Sequence, residues 1–259
     1  MSVEILGEIY DIDLKIIHLE FKFIKRIPNN LYDLVNLQEL YLDLNEIKEI
    51  PDNFCRNPLK KSYFNYIEYP NVQHYCNFIN LKILSLSHNF IKIISNNLCN
   101  LVNLQELYLD HNEIKEIPDS LNYLINLRKL GLSYNKIEKI SDIFCSNLVN
   151  LQELSLNNNT IERIPDNFYN LINLQQLSLN KNQIKEIPIS IINLRILSCF
   201  YYKNNPIENI HPIVQRFLDR INNRGGNIHN VYKDGQNVHT SSIQQSVKKS
   251  IINILTFSL

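Results

Sequence analysis

LVNLQELYLDHNEIKEIPDSL, from Leu101 to Leu121, decides the fold, because the chain spells it twice more with few changes. LVNLQELYLDLNEIKEIPDNF begins at Leu34 and LVNLQELSLNNNTIERIPDNF at Leu148. All three share L-x-N-L-x-x-L-x-L-x-x-N-x-I-x-x-I-P. Counting from the Leu that follows L-x-N, regular units start at Leu14, Leu37, Leu81, Leu104, Leu127, Leu151, Leu174 and Leu197. The step is 23 residues, except that the unit from Leu127 gains one residue near Phe144 and the gap from Leu37 to Leu81 is 44. That gap holds one degenerate unit, residues 58–80, which keeps Glu68-Tyr69-Pro70 in place of E-I-P but has poor strand positions. An irregular turn with a bulged outer loop is expected there; the alternative is a break in the coil. Self-similarity at this period is the signature of a solenoid.

The unit has a physical reading. Its L-x-L core alternates apolar and polar residues, the period of a strand with one buried face. In the unit from Leu104, Leu104, Leu107 and Leu109 point inward, Ile114 and Ile117 return beneath them, and Leu121 and Leu124 close the outer side. One unit alone has no partner for this face, so units must stack. Asn45, Asn89, Asn112, Asn135, Asn159, Asn182 and Asn205 form a column where the chain must bend and leave backbone groups unpaired. An amide carries both a donor and an acceptor, so these residues read as a structural ladder. Pro28, Pro51, Pro118, Pro165 and Pro188 fix φ where the strand side gives way to the outer side. The first and last units depart, with Lys22 in place of Asn and with Phe200 and Tyr202 in place of Leu.

From Leu14 to Ile210 this pattern resembles the leucine-rich-repeat family, in particular its 23-residue, I-P-containing class of intracellular scaffold and signalling proteins such as Ras-pathway scaffolds and Ras suppressors. The Asn/Ile/Lys-rich wording and the tail YKDGQNVHTSSIQQSVKKSI also resemble leucine-rich-repeat proteins of giant DNA viruses. The resemblance implies an α/β repeat solenoid: a leucine-rich-repeat horseshoe with a concave parallel β-sheet, about nine turns and a C-terminal capping helix. It also implies that a partner binds the concave face.

Residues 1–13 are read as an N-terminal cap, 14–210 as the repeats and 211–222 as the capping helix, with Pro212 in its first turn and Ile213, Phe217 and Ile221 on one face. Residues 223–259 read as a glycine-bearing hinge and an amphipathic helix whose stripe is Ile243, Val247, Ile251 and Leu255.

Composition narrows the function. The 26 basic and 26 acidic residues cancel, and no long Lys/Arg run occurs, so neither nucleic acid nor an anionic membrane is an expected partner. The N-terminus lacks the apolar core of a signal peptide, and no stretch has the roughly 18–20 apolar residues that span a bilayer. The five cysteines are widely spaced, with no C-x-x-C, which fits free thiols in the cytoplasm, or in a host cell's if the protein is viral.

Function is then read from the polar strand positions. Glu39, Tyr41, Asp43, Ser85, His88, Glu106, Tyr108, Asp110, His111 and Tyr134 form the candidate partner-binding surface on the N-terminal and middle concave face. Tyr is a favoured anchor because it buries area and still hydrogen-bonds, and the carboxylates suit a basic partner. Glu106, Lys129 and Glu153 share one position on successive strands and read as a charge ladder. His88, His111 and Asp110 together suggest zinc or acid–base chemistry. No fourth ligand, nucleophile or glycine-rich phosphate loop accompanies them, so no metal, cofactor or catalytic residue is assigned. The expectation is a monomeric, non-enzymatic interaction module or adaptor. The alternative is a regulator that inhibits a signalling enzyme such as a phosphatase, GTPase or ubiquitin ligase.

Overall fold

The structure is a computed structural model that describes residues 2–54 and 78–224. Eight strands form one parallel sheet in chain order: β3 (Ile16–His18), β4 (Glu39–Tyr41), β5 (Ile83–Ser85), β6 (Glu106–Tyr108), β7 (Lys129–Gly131), β8 (Glu153–Ser155), β9 (Gln176–Ser178) and β10 (Cys199–Tyr201). Each spans three residues, and equivalent repeat positions face each other, as in Glu106↔Lys129 and Leu107↔Leu130. The central residue points inward: Leu40, Leu84, Leu107, Leu154 and Leu177 are wholly buried. The inward set read for the unit from Leu104 is buried throughout. Each such Leu or Ile contributes roughly 1.5–3 kcal/mol of transfer free energy.

Three positions past each strand, a residue adopts the left-handed conformation. Phe21, Leu44, His88, His111, Tyr134, Asn158, Lys181 and Asn204 have φ between 53° and 59°. None is glycine, so each bend carries a penalty of about 1–2 kcal/mol that the surroundings must hold in place. The following Asn does this. Asn112 Nδ2 donates to the Leu86 carbonyl at 3.0 Å and the Leu109 carbonyl at 3.1 Å, while its Oδ1 accepts from Ile91 N–H at 2.9 Å. Asn45, Asn89, Asn135, Asn159, Asn182 and Asn205 repeat this set, so each amide ties its own bend to the preceding turn. In the first unit Lys22 contributes its backbone N–H to Asn45 Oδ1. The Asn of L-x-N forms another row on the outer side: Asn80, Asn103, Asn126, Asn150 and Asn173 each donate to a carbonyl of the preceding turn.

The outer side is built from single 3₁₀ turns. Pro28, Pro118, Pro165 and Pro188 precede four of them with φ from −60° to −68°. Ser95 stands in for Pro in a fifth, at φ −62°, and its side chain accepts from Asn97 N–H.

The expected irregular turn at 58–80 falls largely on residues 55–77, outside the described residues. Either side of them the coil is continuous. β4 pairs directly with β5, Asn89 donates to the Leu42 carbonyl, and the Phe54 and Phe78 rings lie 4.9 Å apart. Among the described residues the sheet has eight strands, one for each regular unit, and the irregular turn expected between β4 and β5 lies outside them.

At the N-terminal end β1 (Ser2–Ile5) and β2 (Glu8–Asp11) form an antiparallel hairpin. Leu6 and Gly7 both have positive φ, 54° and 82°, the requirement of a tight two-residue hairpin turn. Val3 and Ile5 bury into the core, and Lys22 Nζ meets Glu8 Oε1 at 2.9 Å. At the other end α1 (Pro212–Arg224) lies against β10 and the last outer turn. Its buried face is Val214, Phe217, Leu218 and Ile221. Ile213, assigned to that face from spacing, is 43% exposed, because Val214 takes the inward direction. The hinge and amphipathic helix expected beyond lie outside the described residues. No helix among the described residues is long and apolar enough to cross a membrane.

Candidate functional site

From β4 to β8 each strand touches only its neighbouring strands among the described elements. Glu39 and Tyr41 are half-buried on β4, and the Tyr41 hydroxyl donates to Glu39 Oε2 at 2.8 Å. β6 repeats the pair: the Tyr108 hydroxyl donates to Glu106 Oε2 at 2.5 Å. Burial, then the carboxylate partner, push both phenols far above their ordinary value, so they stay protonated. Lys129 Nζ sits 3.6 Å from Glu106 and 3.8 Å from Glu153, the charge ladder read from the spacing. The His18 ring stacks on Tyr41 with centroids 4.6 Å apart.

Four of the proposed contact residues are not open to a partner. Asp43 is 1% exposed, Ser85 0%, Asp110 6% and Tyr108 8%. The Asp carboxylates turn along the sheet. Asp43 Oδ1 accepts from Ser85 Oγ at 2.6 Å and from Ser87 N–H at 2.7 Å; Asp110 Oδ1 accepts from Ser133 N–H at 2.8 Å. The same position does the same work further on. Ser133 Oγ accepts from Asn157 N–H, Asn157 Oδ1 from Asn180 N–H, and Asn180 Oδ1 from Lys203 N–H. This is a second ladder, running toward the following turn where the Asn ladder reaches back. Period-two alternation points position seven outward, but the strand ends at position five, so alternation no longer governs it. Burial raises the Asp43 carboxyl to about 6 and the Asp110 carboxyl to about 7 against the pull of these hydrogen bonds.

Gly131 belongs to the same arrangement. A Cβ there would lie 2.2 Å from Asp110 Oδ2 and 3.2 Å from Tyr108 Cδ1. The Tyr108 ring therefore lies against the strand that follows its own, in space that only glycine leaves.

His88, His111 and Tyr134 occupy the left-handed bend. Their rings stack in one column, each pair 4.0 Å apart and 13° and 11° from parallel. Ring nitrogens in parallel planes do not converge on one point, which weighs against a shared zinc. Burial lowers both imidazoles, His111 to about 4 with His88 as a second cause, so the stack is neutral at pH 7. Sequence reasoning placed these residues in one column but did not foresee the stacking. The signal was present: three rings at one repeat position on consecutive units.

Charge divides the face. Glu20, Glu39, Glu106 and Glu153 stand on its N-terminal and middle strands with Lys129 among them. Toward β9 and β10, Lys181 and Lys203 are exposed, and neither has an ion-pair partner among the described residues.

Comparisons with known proteins agree with this architecture. The "Leucine Rich repeats (2 copies)" family model matches residues 79–123, and the "Leucine rich repeat" model matches residues 125–184. No curated protein matches the chain. Among solved structures, the leucine-rich-repeat ectodomain of the Arabidopsis thaliana receptor kinase GASSHO1/SCHENGEN3, in complex with Casparian strip integrity factor 2, is 25% identical at a TM-score of 0.54, over 69% of this chain and 20% of that one. Leptospira interrogans LRR protein LIC12759 is 26% identical at 0.52, over 76% and 50%. The PEPR1–AtPEP1 complex is 23% identical at 0.56, over 70% and 23%, and speaks to the fold alone. The chain thus spans from a fifth to half the length of these structures. With the matched repeats, the eight-stranded parallel sheet and the C-terminal helix, the fold is a leucine-rich-repeat solenoid.

Proposed function

We propose that the chain is a protein-interaction module, an adaptor that binds a basic surface of another protein on the N-terminal and middle part of its sheet face. The observation that carries this is the row of half-buried acids and rings on that face, Glu39, Tyr41, Glu106 and Tyr134, with no described element packed against β4–β8 other than neighbouring strands. Half-buried rings and carboxylates are partly desolvated already, so covering them sacrifices little hydration and adds charge-assisted hydrogen bonds. One similar solved structure is a complex, with Casparian strip integrity factor 2, which favours a protein partner. The reading includes a cytoplasmic, monomeric, non-catalytic protein related to Ras-suppressor repeats and to those of giant DNA viruses.

The contact set is narrower than the spacing suggested. Glu39, Tyr41, Glu106, His88, His111 and Tyr134 remain on it, while Asp43, Ser85, Asp110 and most of Tyr108 support it from beneath. Affinity capture from cytosol tests the reading with two variants. Glu39→Lys/Glu106→Lys changes the face; Tyr123→Ala/Tyr169→Ala changes rings that are 61% and 45% exposed on the outer side. Proteins held by the native chain and the outer variant should be lost from the face variant, with affinity down at least tenfold. Equal capture by all three refutes the reading. A captured enzyme whose turnover falls on binding would make the chain an inhibitor.

A further inference from the structure

The outer side of the coil differs between its two ends. In residues 29–36 and 96–103, which build two outer turns near the N-terminal end, Val35 alone is an exposed large apolar residue. From Asp119 to Ile196, each of four consecutive units exposes two, beginning with Tyr123 and Ile125 and ending with Ile189 and Ile196. Three of these residues fall between the Leu and Asn of L-x-N, so Ile125, Val149 and Ile172 form a row along the coil. The repeat does not require an apolar residue there, since Arg195 fills the position in the next unit. An exposed apolar surface that recurs over adjoining units marks an interaction site.

Charge singles out the same region. Asp119, Asp142 and Asp166 hold one equivalent position at the start of successive outer turns. Asp142 pairs with Arg163, whereas Asp119 and Asp166 accept from the hydroxyls of Ser141 and Ser190 and have no ion pair among the described residues. Residues 119–126, 142–150 and 166–173 contain no Lys or Arg. The described chain also ends on this side: α1 lies against the last of these turns, Ile189–Asn193, and closes at Arg224. Beyond it, outside the described residues, positions 241–255 read SSIQQSVKKSIINIL, with Ile243, Val247, Ile251 and Leu255 at every fourth position and Lys248 and Lys249 as the only charges.

We infer that residues 241–255 of this chain lie as a helix along the outer row, with the Ile243, Val247, Ile251 and Leu255 stripe on Ile125, Val149 and Ile172 and the two lysines toward Asp119 and Asp166. The dimensions agree. Every fourth residue of a helix recurs about 6 Å further along it, so the stripe is about 18 Å long. Units recur about 4.8 Å apart, so the four units of the apolar surface extend about 14 Å. Residues 225–240 can reach about 50 Å when extended, more than the way back from Arg224 along these units. The segment brings two positive charges and no negative one to a surface whose aspartates lack partners. The outer side of the C-terminal units is then occupied by the chain itself and is withdrawn from partners, whatever the sheet face binds.

Carbodiimide cross-linking of the full chain, which joins a lysine to a carboxylate in direct contact, tests this. Isotope-labelled and unlabelled protein are mixed, and the linked peptides are mapped by mass spectrometry. Lys248 or Lys249 should join Asp119, Asp142 or Asp166 within one chain. Ile125→Ser/Ile172→Ser removes two side chains that are 50% and 57% exposed, so the coil keeps its native circular dichroism. That variant and Val247→Ser/Ile251→Ser should each lower the yield of these links at least fivefold. Links to Glu39, Glu106 or Glu153 on the sheet face in place of the aspartates would overturn the docking. Links between labelled and unlabelled chains would overturn it and make the row a contact between two copies. Aspartate links that survive both variants would overturn the apolar contact on which the docking rests, and so would a chain in which neither lysine is linked.

Discussion

The second ladder is made of different chemistry at its two ends. Just past β4 and β6 its acceptors are the carboxylates of Asp43 and Asp110; past β8 and β9 they are the amides of Asn157 and Asn180. The task is the same, to take the N–H of the next turn where the short strand has ended. A carboxylate accepts more strongly but must be stripped of water, and both Asp side chains are almost wholly buried. The N-terminal half thus buries ionisable carboxyl groups beneath its sheet face, and among the described residues the C-terminal half buries none. The Asn ladder on the neighbouring column shows no such drift, because each amide there must donate as well as accept, and a carboxylate cannot donate.

The largest effect should come from the ladder that needs both functions. Asn112→Leu orphans the buried Ile91 N–H and takes one of two amide donors from the Leu86 carbonyl, which keeps Asn89, and from the Leu109 carbonyl, which keeps Asn135. At about 1–3 kcal/mol for the buried group left unsatisfied, and less for each carbonyl that keeps a donor, a loss on the order of 2–4 kcal/mol is expected in chemical denaturation. Asn205→Leu, at the half-exposed last turn, should lose about 1 kcal/mol. Equal losses would refute the view that burial sets the penalty.

Gly131→Ala comes next, expected at about 1–3 kcal/mol, since its Cβ meets Asp110 Oδ2 and the carboxylate must leave Ser133 N–H. Asp110→Ser, the residue this column already uses at Ser87 and Ser133, should recover much of that loss when combined with it. Strict additivity in the double-mutant cycle would show that the two residues are not in conflict.

The charge difference between the halves predicts a pH response. The Asp110 carboxyl titrates at about 7 in the folded chain against an ordinary 3.8. The folded state therefore holds this proton more tightly than the unfolded one. The stabilisation is complete below the unfolded value and is lost as pH rises through 7. Between pH 6.5 and 8 the melting temperature should fall, and Asp110→Asn should flatten that slope. The depressed histidines act in the opposite sense, losing stability as pH falls below 6.5 toward about 4, outside this window. An unchanged slope in the Asn variant would mean that Asp110 is not protonated near neutrality. The smallest effect is expected at the surface: Lys129→Met should change stability by only about 0–1 kcal/mol, despite its two ion pairs, because both are solvent-screened.

The sequence by itself determined the period, the inward Leu and Ile of each unit, the amide column and the capping helix. These are consequences of covalent order and of apolar residues having one buried direction. Tertiary structure decided what the outward residues became. Position seven faces water only if the strand reaches it. Each strand stops two residues earlier, and the left-handed residue that follows turns the chain, so Asp43 and Asp110 swing onto the next turn and are buried. The same bend lines up His88, His111 and Tyr134 into a stack. Neighbours 23 residues or more away settle both outcomes, and no local pattern contains them. The outward face is therefore less open than its columns implied, and part of what looked like its charge is the frame beneath it.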